Sequence, residues 1–306
     1  MLFSAAWKKL RNRPSALLAL AVIVLYLGTA IGFEIHGIWC RSTGRTPVYA
    51  QTGDFRHAPP SAAHWLGTDY QGRDVLLRSL AGSATAMKIG IVSGTIAVVI
   101  GVVLGAAAGF FGGKTDDFTV WLYSTIASMP SLLFILAFAL LVSRGYLAPE
   151  LESIVKAAGS LLNVEPGTLA IYLAIGLTGW VTLCRVVRGE SMKLKRKGFV
   201  EAAKVAGVPD TVILFRHILP NVFHLAIIYF TLSFAGAVML EVIVSFLGFG
   251  VQSAPSWGVM ISDGQERLWR GVWWELAGAT GFMFLLVLAL NILGDALRDA
   301  LDPYSA

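Results

Sequence analysis

A chain of 306 residues could hold two water-soluble domains, but 56% of these residues are hydrophobic and only 14% charged. That balance excludes an ordinary soluble protein and makes length a measure of membrane spans. The formal net charge of +5 follows the apolar runs and forms no aromatic-interleaved basic stripe, which points to lipid headgroups and away from nucleic acid.

The basic start, with Lys8, Lys9, Arg11 and Arg13, leads into an apolar run over 15–33. This run is longer than the roughly 7 to 15 residues of a signal-peptide core, and no small-residue cleavage pattern follows, so it reads as an uncleaved first span. A long outer loop over 34–88 comes next, and residues 1–63 read as an appendage to a core over 64–306. Cys40 shows no acylation pattern around it, and with only Cys184 as a companion a disulfide framework is excluded. Within the loop, Thr68 or Asp69 is expected to cap a short helix that lays residues 75, 76, 77 and 80 on the membrane surface. His57, His64, Asp69 and Asp74 are the sharper alternative, a metal site, but they lack a recognised ligand spacing.

Further apolar runs cover 89–113, 118–143, 167–184, 218–240, 242–262 and 276–294. Each is near the length of about 20 residues that a spanning helix needs. The 242–262 run carries Gly, Ser, Gln and Pro in its middle, and lipid cannot satisfy the backbone groups such residues leave open. It is expected to be a scoop-like outer loop, which leaves six spans and both termini on one side. Lys114, the basic run from Arg185 to Arg216 and Arg298 then join the N-terminal charges on the cytoplasmic side, as the positive-inside rule asks. Residues 108–115 nearly spell a phosphate-binding loop, yet they follow a membrane helix, so a Gly-rich turn with Lys114 at the interface is the better reading. His224, Glu241 and Glu275 are the few ionisable residues within or near the runs. His224 reads as a hydrogen bonder in helix packing, and Trp121, Trp257, Trp269, Trp273 and Trp274 read as an interfacial belt, with substrate stacking an alternative for Trp257.

A polar island over 201–220 interrupts the apolar pattern. Small side chains at 202, 203 and 206 permit close approach to another surface, Gly207 can end a helix, and Pro209-Asp210 suits a fresh start with Asp210 as N-cap. The island resembles the Glu-Ala-Ala signature of permease subunits in ATP-driven importers: Glu201, Ala202 and Ala203, then Gly207, then Leu219-Pro220. Its one departure, His217, sits in an Arg216-His-Ile-Leu-Pro-Asn221 stretch similar to the dipeptide, oligopeptide and nickel branch of that family. Residues 65–74 (Trp-Leu-Gly-Thr-Asp-Tyr-Gln-Gly-Arg-Asp), 109–116, Met129-Pro130, 293–299 and Asp302-Pro303 match the same branch in order and spacing. The resemblance covers about residues 64 to 303.

That resemblance implies an all-α polytopic membrane fold with six transmembrane helices, the transmembrane domain of a type I importer, in the bacterial inner membrane with both termini cytoplasmic. It implies ATPase coupling through Glu201, Ala202, Ala203, Gly207 and Arg216, on short cytoplasmic helices seated in a groove of the partner. A translocation path near spans three and five and the scoop would use Glu241, Ser245, Phe246, Gly248, Gly250 and Trp257. The implied partners are a second homologous permease, two ATPase subunits or domains and an extracytoplasmic substrate-binding protein. This chain would hold no cofactor, ATP and Mg being held by the ATPases.

Two rivals were weighed from the residues. A secondary transporter should show midplane ionisable groups or repeated broken helices. A membrane enzyme should show a Ser-His pair, a Gly-x-Ser-x-Gly elbow or a His-Glu-x-x-His motif. The sequence shows neither set.

Overall fold

The computed structural model describes residues 7, 9–146, 149–250 and 254–301. Asp302-Pro303 and the 251–253 part of the scoop, including Gln252, lie outside them. The described residues form α1 (Pro14–Ser42), α2 (Val75–Phe111), α3 (Gly113–Ala127), α4 (Ser131–Ser143), α5 (Pro149–Leu162), α6 (Pro166–Leu194) and α7 (Gly198–Val205). These are followed by α8 (Asp210–Phe246), α9 (Trp257–Leu268) and α10 (Trp274–Leu301). No strand occurs among the described residues, and one isolated bridge joins Thr68 to Asp74. The fold is all-α.

Helices α1, α2, α6, α8 and α10 are each long and apolar enough to cross a membrane. The expected span over 118–143 is instead the pair α3 and α4, bent by 87° at residues 128–130. Pro130 accounts for the break, because a residue before proline is pushed out of the helical region and proline itself lacks a donor.

Three boundaries differ from the sequence expectation. The first helix runs on to Ser42, so Cys40 is a buried, free thiol inside α1 and not part of a loop. Its extension past Glu34 is compatible with burial because that carboxylate meets Lys88 of α2 at 2.7 Å. Residues 75–88 form no separate surface helix; they are the first turns of the 37-residue α2, capped by Asp74 through its bond from the Leu77 amide (3.0 Å) and not by Thr68 or Asp69. Residues 242–246 finish α8, so the expected scoop is confined to the turn that precedes α9. Helix α5 was not anticipated.

Helix α2 is the axis of the bundle. Gly101, Gly105 and Gly109 recur every four residues on one face and meet α6 at Trp180, Cys184 and Arg188, which are spaced in the same way. A Cβ on Gly101 would lie 3.0 Å from the Trp180 carbonyl oxygen, and one on Gly105 would lie 2.6 Å from that of Cys184. Small residues at this spacing let two backbones touch, which is how helices associate where lipid removes the hydrophobic drive. Ser93 adds a hydrogen bond to the Tyr172 carbonyl at 2.7 Å. On another face of α2, Gly94 leaves room for Phe230 of α8. Helix α1 lies against α2 and α10, and α4 lies against α6.

Replacing Gly105 by Val is therefore expected to force the α2–α6 seam apart and destabilise the purified protein by about 1–3 kcal/mol or more. Gly28→Ala, where a Cβ would meet nothing within 4 Å, should change little. Thermal unfolding in detergent compares them; equal melting temperatures would remove the seam as a structural requirement.

Candidate functional site

The polar island folds as a projecting hairpin. Helix α7 carries Glu201, Ala202 and Ala203, the first two exposed, and ends in a Schellman motif: the Gly207 amide bonds the Lys204 carbonyl (3.0 Å) and the Val208 amide that of Ala203 (3.1 Å). Gly207 takes φ +77, a left-handed conformation that a side chain disfavours. Helix α8 begins at Asp210, which is its first residue; the N-cap position falls to Pro209, one residue earlier than expected, and makes no side-chain cap bond. The first turns of α8 widen into a π-turn over Leu214–Ile218, the usual accommodation where proline, here Pro220, removes a ladder donor and its ring crowds the carbonyl four residues back. Arg216 lies exposed in that turn.

The hairpin has a buried root and an apolar, uncovered tip. Val200, Ile213, Leu214 and Ile218 pack with Phe110 of α2 and Val187 of α6, so the hairpin is tied to both helices of the glycine seam. Lys195 and Lys204 sit over the Phe110 ring. By contrast Val205 is 91% and Phe215 69% exposed, and Phe199 and Val212 are also uncovered. Next to the hairpin, Arg188 of α6 holds Asp116 of α3 through a two-pronged ion pair (2.6 Å for the Nη2–Oδ2 arm). Lys114 stands in the first turn of α3 after an elbow between two helices, a setting unlike the strand-loop-helix of a phosphate cradle.

The residues expected to line a path fall at the opposite end of α8. Glu241 is buried and its Oε1 accepts hydrogen bonds from Ser245 (2.6 Å) and Ser256 (2.7 Å), while Ser256 also caps α9 through the Gly258 amide. These three residues clasp the turn between α8 and α9. Phe246 is half-buried, and Gly248 (φ +84) and Gly250 stand in the turn itself. Trp257 is 1% exposed, donates to the Ser79 carbonyl (2.8 Å) and meets Tyr26 edge-on, so in this chain it packs α9 against α1 and α2. Trp274 is also interior, donating to the Thr68 carbonyl (3.0 Å); the interfacial reading therefore fails for Trp257 and Trp274, while Trp121, Trp269 and Trp273 are exposed. His224 bonds the Asn221 carbonyl one turn away, within its own helix.

The segment over 65–74 has a physical role that motif matching alone did not supply. Asp69 is fully buried and accepts from the amides of Gln71 (2.8 Å) and Arg73 (2.9 Å), from Arg73 Nε (2.6 Å) and from Arg78. Glu275 of α10 lies 3.7 Å from Arg78 and 3.5 Å from Arg267 of α9. Asp74 pairs with His64 at 2.7 Å while capping α2. Asp69 is thus held by arginines, His64 and Asp74 hold each other, His57 Nδ1 is buried without a hydrogen bond, and among the described residues no cluster could hold a metal ion. Gly67 (φ +68) belongs to the same knot: a Cβ there would be 2.5 Å from the Ala58 carbonyl and 2.8 Å from Trp274. The legible signal was an acid followed by two arginines at the start of a long apolar run.

Residues 101–304 match the family described as binding-protein-dependent transport system inner membrane component. The chain is 32% identical over 302 residues to the dipeptide transport system permease protein DppC of Bacillus subtilis, covering 97% of this chain and 84% of that protein. It is 36% identical over 241 residues to the oligopeptide transport system permease protein OppC of Haemophilus influenzae, covering 78% and 70%. With OppC of Escherichia coli K12 the identity is 34% over 243 residues, covering 79% and 73%.

Burial alone would raise the Asp69 carboxyl, but the Arg73 amide and the Arg78 and Arg73 charges bring it below the usual carboxylate range. Its stabilisation is complete above that range and is lost as pH falls through the lowered value. Asp69→Asn should cost about 3–5 kcal/mol at neutral pH, since it leaves buried Arg78 with only the more distant Glu275 carboxylate at 3.7 Å, and the gap to wild type should narrow on acidification below about pH 4. Thermal scans at the two pH values test this; an equal gap at both would contradict it.

Proposed function

The chain belongs to the family of binding-protein-dependent transport system inner membrane components, and from that premise we propose that it moves short peptides inward as one of two permeases in an ATP-driven importer. It is a multi-pass inner-membrane permease subunit and performs no covalent chemistry. The peptide assignment draws on the relatives, which are dipeptide and oligopeptide permeases. A carrier driven by an ion gradient is not favoured by this membership.

The observation that carries the coupling role is the hairpin of α7 and the start of α8. Its root is locked into the α2–α6 seam, while Glu201, Ala202, Val205 and Phe215 project without cover. An exposed apolar surface on a rigid root suits a partner that must push on the spans. In the proposed assembly the partners are a second homologous permease, two ATPase subunits or domains that hold ATP and Mg, and an extracytoplasmic binding protein. Closure of the ATPases drives Glu201, Ala202, Ala203, Gly207 and Arg216 inward, and the motion reaches the outer turn of α8 through the continuous 37-residue helix. Solute passes near α4, α8 and the turn held by Glu241 and Ser245, bordered by Phe246, Gly248 and Gly250; Trp257 acts there by fixing the base of α9. Residues 1–63, whose α1 lies against α2 and α10, are an addition to the 64–306 core.

The basic residues concentrate on one side of the spans, which supports cytoplasmic termini. A single Cys probe at Asp54 should label from outside and one at Lys195 from inside; the reverse pattern would invert the orientation. Cys40 and Cys184 are buried and give little background.

Glu201→Lys and Gly207→Leu should each reduce uptake in reconstituted vesicles by roughly tenfold or more and uncouple ATP hydrolysis, without loss of insertion. Nothing within 4 Å surrounds a Cβ at Gly207, so within this chain Leu meets only the backbone penalty of about 1–2 kcal/mol, and a larger loss reports the partner surface. Lys193→Ala and Lys197→Ala should act weakly. Normal coupling in well-inserted Glu201→Lys and Gly207→Leu proteins would remove this role for the hairpin.

A further inference from the structure

A cavity of about 390 Å³ opens among the outer ends of α1, α2 and α6, within the range of small-molecule sites. Its cations are unequal. Lys88 is satisfied by Glu34 at 2.7 Å and by the Asn163 carbonyl at 3.3 Å, and Asn163 also donates to Glu34. Arg41, in the last turn of α1, has no carboxylate oxygen within 4.0 Å among the described residues. It is exposed and lines the cavity rim.

The wall supplied by α6 is equally unspent. Thr168 and Tyr172 stand one turn apart, 6% and 1% exposed, and both line the cavity. Neither side-chain hydroxyl makes a hydrogen bond among the described residues, although nearly buried hydroxyls are normally paired. Glu165, at the N-cap of α6, makes neither a cap bond nor an ion pair among those residues. It also borders a second cleft of about 680 Å³ that shares Thr168 with the first. An unpaired guanidinium, two unpaired hydroxyls and a carboxylate at the rim form a donor set of both signs.

We propose that this cavity is a receiving site for a short peptide with free termini, Arg41 and the Thr168 and Tyr172 hydroxyls taking its carboxylate and Glu165 facing its ammonium group. The proposal deepens the peptide-permease reading and rests on it. A guanidinium recognises carboxylate by paired, charge-assisted bonds, which neutral solutes cannot repay. The adjoining cleft leaves room for side chains, so the site reads the termini and is indifferent to what lies between them. It is separate from the clasp of Glu241, Ser245 and Ser256.

The test is uptake of labelled dialanine by the complete importer in proteoliposomes, at increasing binding-protein concentration. Arg41→Gln should lower uptake at saturating binding protein by roughly tenfold, with Arg41→Lys, which keeps the charge and loses the paired bond, falling between the two. Tyr172→Phe, which removes one hydroxyl and little else, should lower it several-fold, and basal ATP hydrolysis and insertion should stay unchanged in all three. Uptake by Arg41→Gln within twofold of wild type would overturn the site, as would an Arg41→Lys loss as deep as that of Arg41→Gln. Recovery of the variants by excess binding protein would also overturn it, because the cavity would then be a docking socket for that protein. A wild-type complex that takes up no dialanine with ATP would sink the peptide reading and the site together, whereas active wild type with unaffected variants sinks the site alone.

Discussion

Backbone contact between α2 and α6 is the constraint from which the rest follows. In lipid the apolar side chains of two helices gain nothing from leaving solvent, so the seam must come from close packing. Gly101, Gly105 and Gly109 on α2 provide it against Trp180, Cys184 and Arg188. Both helices are long and continuous, 37 and 29 residues, so the seam links one end of the bundle to the other. The end of the seam near Gly109 carries the root of the hairpin, through Val200, Ile213 and Ile218 packed on Phe110 and Val187.

The opposite end of α2 is held by charge. Asp69, Arg73 and Arg78, with Glu275 and Arg267 beside them, join the loop before α2 to α9 and α10. Buried ions of this kind add little net stability over an apolar substitute, but they tolerate one arrangement only, since a lost partner leaves an uncompensated charge. Glu241 does the same work for the turn after α8 with two serine hydroxyls. The molecule thus has polar clasps at one end and an apolar, uncovered surface on the hairpin at the other, joined by α2, α6 and α8. Such an arrangement suits the proposed coupling, in which a partner acts on the hairpin at one end of the molecule.

The fold class and the hairpin were legible because both leave local marks. Runs of apolar residues mark spans, and Gly207 followed by Pro209 marks a helix end and a restart. The misplacements arose where tertiary partners override local signals. Glu34, Arg78 and Lys88 interrupt apolar runs and so looked like loop residues, yet Glu34 and Lys88 meet across the α1–α2 interface and Arg78 meets Asp69 of the preceding loop. Trp257 and Trp274 looked like interface anchors because they stand near span ends, but their indole donors reach carbonyls inside the fold. The four-residue glycine spacing of α2 was readable and was passed over. The unpaired set at Arg41, Thr168 and Tyr172 was not readable, since α1 and α6 are brought together only by packing on α2.

In the proposed assembly, ATP hydrolysis in a partner moves these spans through the hairpin of α7 and the start of α8. Ala202 is exposed at its tip, and the native cysteines are buried, so Ala202→Cys offers one accessible thiol for cross-linking in membranes that contain the assembled importer. The account predicts a cross-link to an ATPase subunit whose yield changes when a non-hydrolysable ATP analogue closes the ATPases. A complex that copurifies with its ATPases, yet gives no such cross-link in either state, would contradict it.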